Sequence, residues 1–174
     1  MGAVKSQDLN SEQDVSAVSP AGSMESRLRE SEAHLEKILE TLVDGVITID
    51  ERGIIQLANP AAERIFGYAK DTLVGKNVSL LMPGPDRSAH DGYLAKYLKT
   101  GQANIIGFGR EVLGQRKDGS TFPLELAISE LQTEHGRLFT GITRDVSERK
   151  QAEAEIRQAN EILTEYAYAV RAID

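Results

Sequence analysis

The chain has no cysteine among its 174 residues. That excludes disulfides, thiolate metal sites, covalent c-type haem attachment and cysteinyl-flavin photochemistry, and it fits a reducing cytoplasm. No apolar run approaches the roughly 20 residues needed to span a membrane, and the N-terminus has no signal-peptide pattern. The expected localisation is cytoplasmic, with no membrane span. A basic stripe is also missing and the net charge is −7, so nucleic acid is not expected as a partner. No nucleotide-binding loop occurs, and no nucleophile and base stand at a recognisable spacing. Gly107-Phe108-Gly109 lacks the third glycine and the following helix of a dinucleotide fingerprint. The chain is therefore not expected to be an enzyme. Aromatics are few at 5%, but hydrophobic residues at 40% suffice for a core, and the length suits one domain with extensions.

Residues 1–23 are polar and aperiodic and read as a disordered tail. Over 24–42, Leu28, Leu35, Ile38 and Leu42 recur at helical spacing between Glu and Arg, an amphipathic helix able to pair with another. The period then switches. Val46-Ile47-Thr48-Ile49-Asp50 and Ile54-Ile55-Gln56-Leu57-Ala58 flank the turn Glu51-Arg52-Gly53, which predicts a hairpin. Asn59-Pro60 opens a short helix that Gly67 stops. Asp71 to Met82 is helical or irregular, up to Pro83 and Pro85. Strands are predicted over about 105–115, 121–130 and 137–143, with turns at Asp118-Gly119 and His135-Gly136. In the second of these, Leu124, Leu126 and Ile128 face one side and Glu125, Ala127 and Ser129 the other. From Ser147 onward Ala152, Ile156, Ala159, Leu163, Tyr166 and Val170 alternate in spacing between four and three, a heptad seam. It continues past any core that a small domain offers, so a dimer helix is preferred over a helix packed on its own domain. The expected organisation is a tail over 1–23, an N-terminal helix over 24–42, a sheet-containing domain over 43–146 and a C-terminal helix over 147–174.

The stretch Asp86–Arg110 organises the rest. It reads as a helix with Asp86 as N-cap and Gly101 as C-terminal stop. His90, Tyr93, Leu94, Tyr97 and Leu98 share one face of it. Three histidines exist; His34 lies on the N-terminal helix and His135 in a predicted turn. Periodicity alone makes His90 a core histidine, pointed at a core or at something held within one.

Four motifs carry a resemblance. They are Asp44-Gly45-Val46-Ile47-Thr48-Ile49-Asp50, Asn59-Pro60-Ala61-Ala62-Glu63-Arg64-Ile65-Phe66-Gly67-Tyr68, Lys117-Asp118-Gly119-Ser120-Thr121-Phe122-Pro123 and Gly141-Ile142-Thr143-Arg144-Asp145-Val146-Ser147-Glu148-Arg149. In this order they resemble PAS domain signatures over about residues 32–150. The implied fold is α+β: a five-stranded antiparallel sheet with short helices on one face, flanked by N- and C-terminal amphipathic, coiled-coil-like helices. Leu81-Met82-Pro83, Pro85-Asp86-Arg87-Ser88, His90-Asp91, Tyr93, Tyr97 and Ile105-Ile106-Gly107-Phe108-Gly109-Arg110 resemble the haem-binding PAS domain of the FixL family of oxygen-sensing histidine kinases.

That resemblance implies haem b as cofactor, with His90 as the iron ligand and Arg110 as the cation that holds bound oxygen. It implies a diatomic gas ligand (oxygen, with carbon monoxide or nitric oxide as others) and a histidine kinase or other signalling output. Ile105, Leu126 and Ile128 fall on the apolar distal wall, while Tyr93, Leu94 and Tyr97 line the helix side. The sequence departs from the family near the propionates, where Lys96 stands for an arginine and Asn104 for a histidine. Lys96 still offers a charge, without the bidentate fork.

Bound oxygen carries partial negative charge, which a guanidinium stabilises in a dry pocket; the alternative for Arg110 is an ion pair with a carboxylate such as Glu125. Strict alternation separates Ile105 and Arg110 onto opposite faces unless Gly107 and Gly109 bend the segment. Movement of Arg110 between a propionate and the ligand would shift its strand and rotate the C-terminal seam. Asn160–Val170 is similar to the start of a histidine-kinase dimerisation helix, and the expected assembly is a homodimer. Two rival readings are a PAS domain holding FAD or FMN noncovalently and a cofactor-free dimerisation module.

Overall fold

In the computed structural model, residues 20–101, 109–134 and 136–171 are described, and the chain divides into two units, 1–37 and 38–174. Helix α1 (Pro20–Thr41) begins at Pro20 rather than at Met24. Met24, Leu28 and Leu35 on it are exposed.

The second unit contains β1 (Gly45–Ile49), β2 (Ile55–Ala58), α2 (Pro60–Phe66), α3 (Lys70–Leu73), a 3-10 turn (Val78–Leu81), α4 (Gly84–Thr100), β3 (Arg110–Gln115), β4 (Thr121–Thr133), β5 (Gly136–Asp145) and α5 (Ser147–Arg171). The strands form one antiparallel sheet in the order β2-β1-β5-β4-β3. The predicted five-stranded antiparallel sheet with short helices is thus the observed one.

Local chemistry explains most element ends. Asp50 Oδ1 accepts from the backbone N–H groups of Arg52 and Ile54 at 2.9 Å each, an Asx-type turn that closes the β1–β2 hairpin. Asn59 caps α2 through its side chain, Pro60 opens it where a missing N–H is harmless, and Gly67 ends it at φ 74°, a conformation that favours glycine. The expected N-cap role of Asp86 is not what forms. Helix α4 starts at Gly84 with Pro83 at the cap position and no side-chain cap. Pro85 therefore sits inside the first turn, which tolerates proline, and does not stop the chain before the helix. Strand β4 extends to Thr133 rather than Glu130 because its pairing with β5 continues to Thr133 opposite Gly136.

One face of the sheet carries the helices. Ile47, Ile55 and Ala58 of β1–β2 and Phe122 and Leu124 of β4 pack with Ala62, Phe66, Leu73 and Leu81. Phe66 and Phe122 meet edge-to-face at 5.6 Å. Burying a side chain of this size contributes about 1.5–3 kcal/mol. Alternation along paired strands then assigns Leu126 and Ile128 of β4, Gly141 of β5 and Arg110 of β3 to this same inner face, since Arg110 opposes Leu126 and Ile128 opposes Gly141.

The sheet passes into α5 at Asp145. Its carboxylate accepts from the Ser147 N–H at 2.9 Å, the Ser147 hydroxyl at 2.6 Å and Arg116 at 2.5 Å. Burial alone would raise this carboxyl, but the Ser147 and Arg116 bonds outweigh it and hold the pKa below the ordinary 3.8. A carboxyl lowered by folding adds stability that is full above 3.8 and is lost as pH falls through the folded value. Asp145→Asn is expected to lower stability by about 1–2 kcal/mol at neutral pH. Urea midpoints should show that gap closing as the pH falls below 3.8.

Candidate functional site

Helix α4 is held to the rest of the domain at its two ends. Near its start Arg87 donates to the carbonyls of Leu80 (3.0 Å) and Met82 (3.2 Å) and to Gln115 Oε1 (2.8 Å). Near its end Tyr97 donates its hydroxyl to Glu130 of β4 and sets its ring edge-to-face on Phe139 of β5 at 5.8 Å. Arg137 of β5 reaches Glu130 at 3.6 Å, Glu51 at 3.3 Å and the Leu98 carbonyl at 3.4 Å. Yet no residue of α4 is buried. The helix is fastened by polar contacts and the Tyr97–Phe139 ring contact, and none of its residues belongs to the close-packed core cluster.

His90 lies in that middle stretch. Its side chain is only 19% exposed, and its Nδ1 is buried without a hydrogen-bond partner among the described residues. The Asp91 carboxylate is 3.7 Å from Nδ1, beyond hydrogen-bond reach. Burial lowers the imidazole pKa, opposed only partly by Asp91, so the ring is neutral near pH 7. A buried nitrogen left unpaired costs about 1–3 kcal/mol, and such an atom calls for an explanation.

The other predicted residues distribute unevenly. Leu94, Tyr97 and Leu98 are half-buried on the same side of α4. Tyr93 is not: it is 58% exposed. It precedes Leu94 by one residue, about 100° around the helix, and this carries it past the edge of the covered face. Lys96 is exposed. Leu126 and Ile128 are half-buried on the inner sheet face. Asn104 and Ile105 lie outside the described residues, as do the bend at Gly107 and the turn residue His135.

Arg110 occupies the first position of β3, exposed, directly opposite Leu126. Among the described residues it makes no ion pair. Its alternative partner Glu125 points to the other face and is held by Arg149 at 2.6 Å. A groove of about 320 Å³ is lined by the outer-face residues Glu111, Glu125, Ala127, Ile142 and Arg144 and also takes in Arg110 and Leu126; His90 does not line it.

Sequence reasoning missed the Tyr97–Glu130–Arg137 fastening. One signal was available: Glu130 continues the inward parity of Leu124, Leu126 and Ile128, and a carboxylate at an inward position needs a partner.

The order β2-β1-β5-β4-β3 with small helices gathered over one face defines a PAS-type fold. The chain belongs to this family: the family model described as PAS fold matches residues 33–146. The chain is 47% identical over 135 residues to the sensor protein FixL of Bradyrhizobium diazoefficiens, covering 78% of this chain and 27% of that protein. It is 36% identical over 131 residues to the cell-division control histidine kinase PdhS of Brucella abortus, covering 74% of this chain and 12% of that protein. It therefore spans about a quarter or less of the length of these relatives. Among solved structures, the PAS domain of an HTR-like protein from Haloarcula marismortui superposes with a TM-score of 0.58 at 25% identity, covering 71% of this chain and 98% of that one. No helix among the described residues is long and apolar enough to cross a membrane.

Proposed function

We propose that this PAS domain is a haem-b-based sensor of a diatomic gas, oxygen first among them, with His90 as axial ligand. The observation that carries the reading is the half-buried imidazole of His90, whose buried Nδ1 has no hydrogen-bond partner among the described residues. Iron takes a neutral imidazole, and a ring with unpaired capacity is free to supply one. Haem b would supply an iron able to take a diatomic gas, with His90 as the residue that would hold it.

The protein's part is to hold and to shield. Leu94, Leu126 and Ile128 offer apolar surface on the two walls. Arg110 brings a permanent cation to the inner face with no carboxylate engaging it among the described residues, available for a propionate in one state and for the polarised gas in the other. Lys96 is the exposed cation on α4 assigned to a propionate. Asn104 and Ile105 complete the site in this reading. A shift of Arg110 moves β3 and, through the sheet, α5.

The exposed members of the α5 seam, Ile156, Leu163 and Tyr166, are assigned to a homodimer, and the output to a histidine kinase or another signalling partner. The identity with FixL supports the haem reading, and the kinase relatives support the output.

An absorption spectrum of haem-supplied protein tests the proposal. A Soret band with histidine ligation supports it. Yellow protein with flavin bands, or colourless protein, overturns it in favour of FAD or FMN binding or a cofactor-free module. Arg110→Ala is expected to weaken oxygen binding by roughly 10-fold or more, from the loss of a charged hydrogen bond. Carbon monoxide binding should weaken less, because that ligand is less polarised. Equal losses for the two gases would remove Arg110 from the gas side.

A further inference from the structure

The outer face of β3 and β4 carries an arrangement that local rules disfavour twice. Glu111 stands directly opposite Glu125 across the strand pair, where like charges repel. Arg149 and Lys150 stand in the first turn of α5, which begins at Ser147, where the helix dipole favours anions over cations. Each pair is unfavourable alone, and each is compensated by the other. Arg149 lies 2.6 Å from Glu125 and 3.5 Å from Glu111, and Lys150 Nζ lies 2.5 Å from Glu111 Oε2. Lys150 accordingly holds the Glu111 carboxyl below its ordinary range. The same turn is tied by backbone to β4 through the Val146 N–H on the Pro123 carbonyl at 3.1 Å.

We propose that Glu111, Glu125, Arg149 and Lys150 form an electrostatic latch that fixes the start of α5 to the β3–β4 edge, so that displacement of β3 is passed to α5 and displacement of α5 back to β3. Glu111 is the chain neighbour of Arg110, and successive strand residues point to opposite faces. One short piece of backbone thus carries the inner cation and the outer latch. Coupling of this kind is reciprocal: what loosens one end loosens the other. Its use in gas sensing rests on the role proposed for Arg110, but the latch itself does not.

The test is amide hydrogen exchange on the full chain. In Arg149→Gln/Lys150→Gln, exchange in β3 is expected to rise roughly two- to fivefold at low salt, the scale of exposed ion pairs, although neither change lies in the sheet. Glu111→Gln should do the same to the first turns of α5. At about 1 M salt, where screening acts within ~3 Å, wild type and variants should converge. The reversed pair Glu111→Lys/Lys150→Glu should restore protection. Unchanged β3 exchange in the double variant, or an increase that salt does not erase, overturns the latch.

In haem-loaded protein the double variant should also shift the gas dissociation constant about twofold or more. A constant that stays put while exchange rises overturns the link to Arg110. Failure to take up haem overturns the sensor reading instead, and the exchange measurement still decides the latch.

Discussion

Replacing His90 by alanine is expected to abolish the Soret absorbance of haem-supplied protein while leaving the cofactor-free fold at least as stable as before. The two halves of this result come from one observation. In the free protein the imidazole makes no hydrogen bond to any described residue through its buried Nδ1, and α4 has no buried residue. Alanine therefore removes about 1–3 kcal/mol of unpaired-polar cost, set against a modest loss of packing from a half-buried ring.

An ordinary core histidine behaves the other way, because its deletion leaves a cavity and stranded partners. Loss of the axial ligand, in contrast, should weaken haem retention by at least ~100-fold, since even the partners behind a metal ligand are worth 10–100-fold. The measurements are a haem titration followed in the Soret region and a urea melt of the cofactor-free protein. A variant that binds haem with unchanged axial ligation refutes the assignment, as does a large fall in cofactor-free stability. His34→Ala, on the exposed N-terminal helix, is the control and should change neither.

What could be read in the sequence was what is local. Asn59-Pro60 and Gly67 mark the two ends of α2 because capping and left-handed backbone are single-residue properties. Leu124, Leu126 and Ile128 declare the inner face of β4 because strand parity needs no partner. The hairpin, the Asp118-Gly119 turn and the start of α5 at Ser147 are legible for the same reason. Strand order was legible only through resemblance to a family, since pairing of β1 with β5 joins residues nearly a hundred positions apart.

The site divides along the same line. Helical spacing placed His90, Leu94, Tyr97 and Leu98 together but could not say where the covered sector ends, and Tyr93 fell outside it. Pro85 reads, with Pro83, as a stop before the helix, but the first turn of α4 accommodates it and only Pro83 stands outside. Arg137 reaching Glu51 across 86 positions, and Arg149 answering a pair of glutamates brought face to face by register, depend on tertiary geometry that no window of sequence contains.

Asn59→Ala is the substitution expected to damage the fold most. Asn59 is 2% exposed, and its amide is saturated. Oδ1 accepts from the Val46 N–H at 2.8 Å and the Ala62 N–H at 3.0 Å, while Nδ2 donates to the Leu39 carbonyl at 3.2 Å and the Asp44 carbonyl at 3.0 Å. One side chain thus caps α2, starts β1 and binds the last turn of α1 to the segment that follows it.

Alanine strands two buried donors at about 1–3 kcal/mol each and loses the cap as well, for a total near 3–5 kcal/mol. Against the roughly 5–15 kcal/mol that holds a domain together, this corresponds to a fall in melting temperature on the order of 10–25 °C. Asn59→Asp separates the contributions: it keeps both acceptor bonds and forfeits both donated ones, while placing a charge against two carbonyls. Asn59→Ser retains a cap oxygen but no amide. If the four bonds act as described, both variants should melt between alanine and wild type, with serine no better than partly restored. Thermal unfolding followed by circular dichroism checks this, and an alanine variant that melts within a few degrees of wild type would show that the junction is held by the backbone alone.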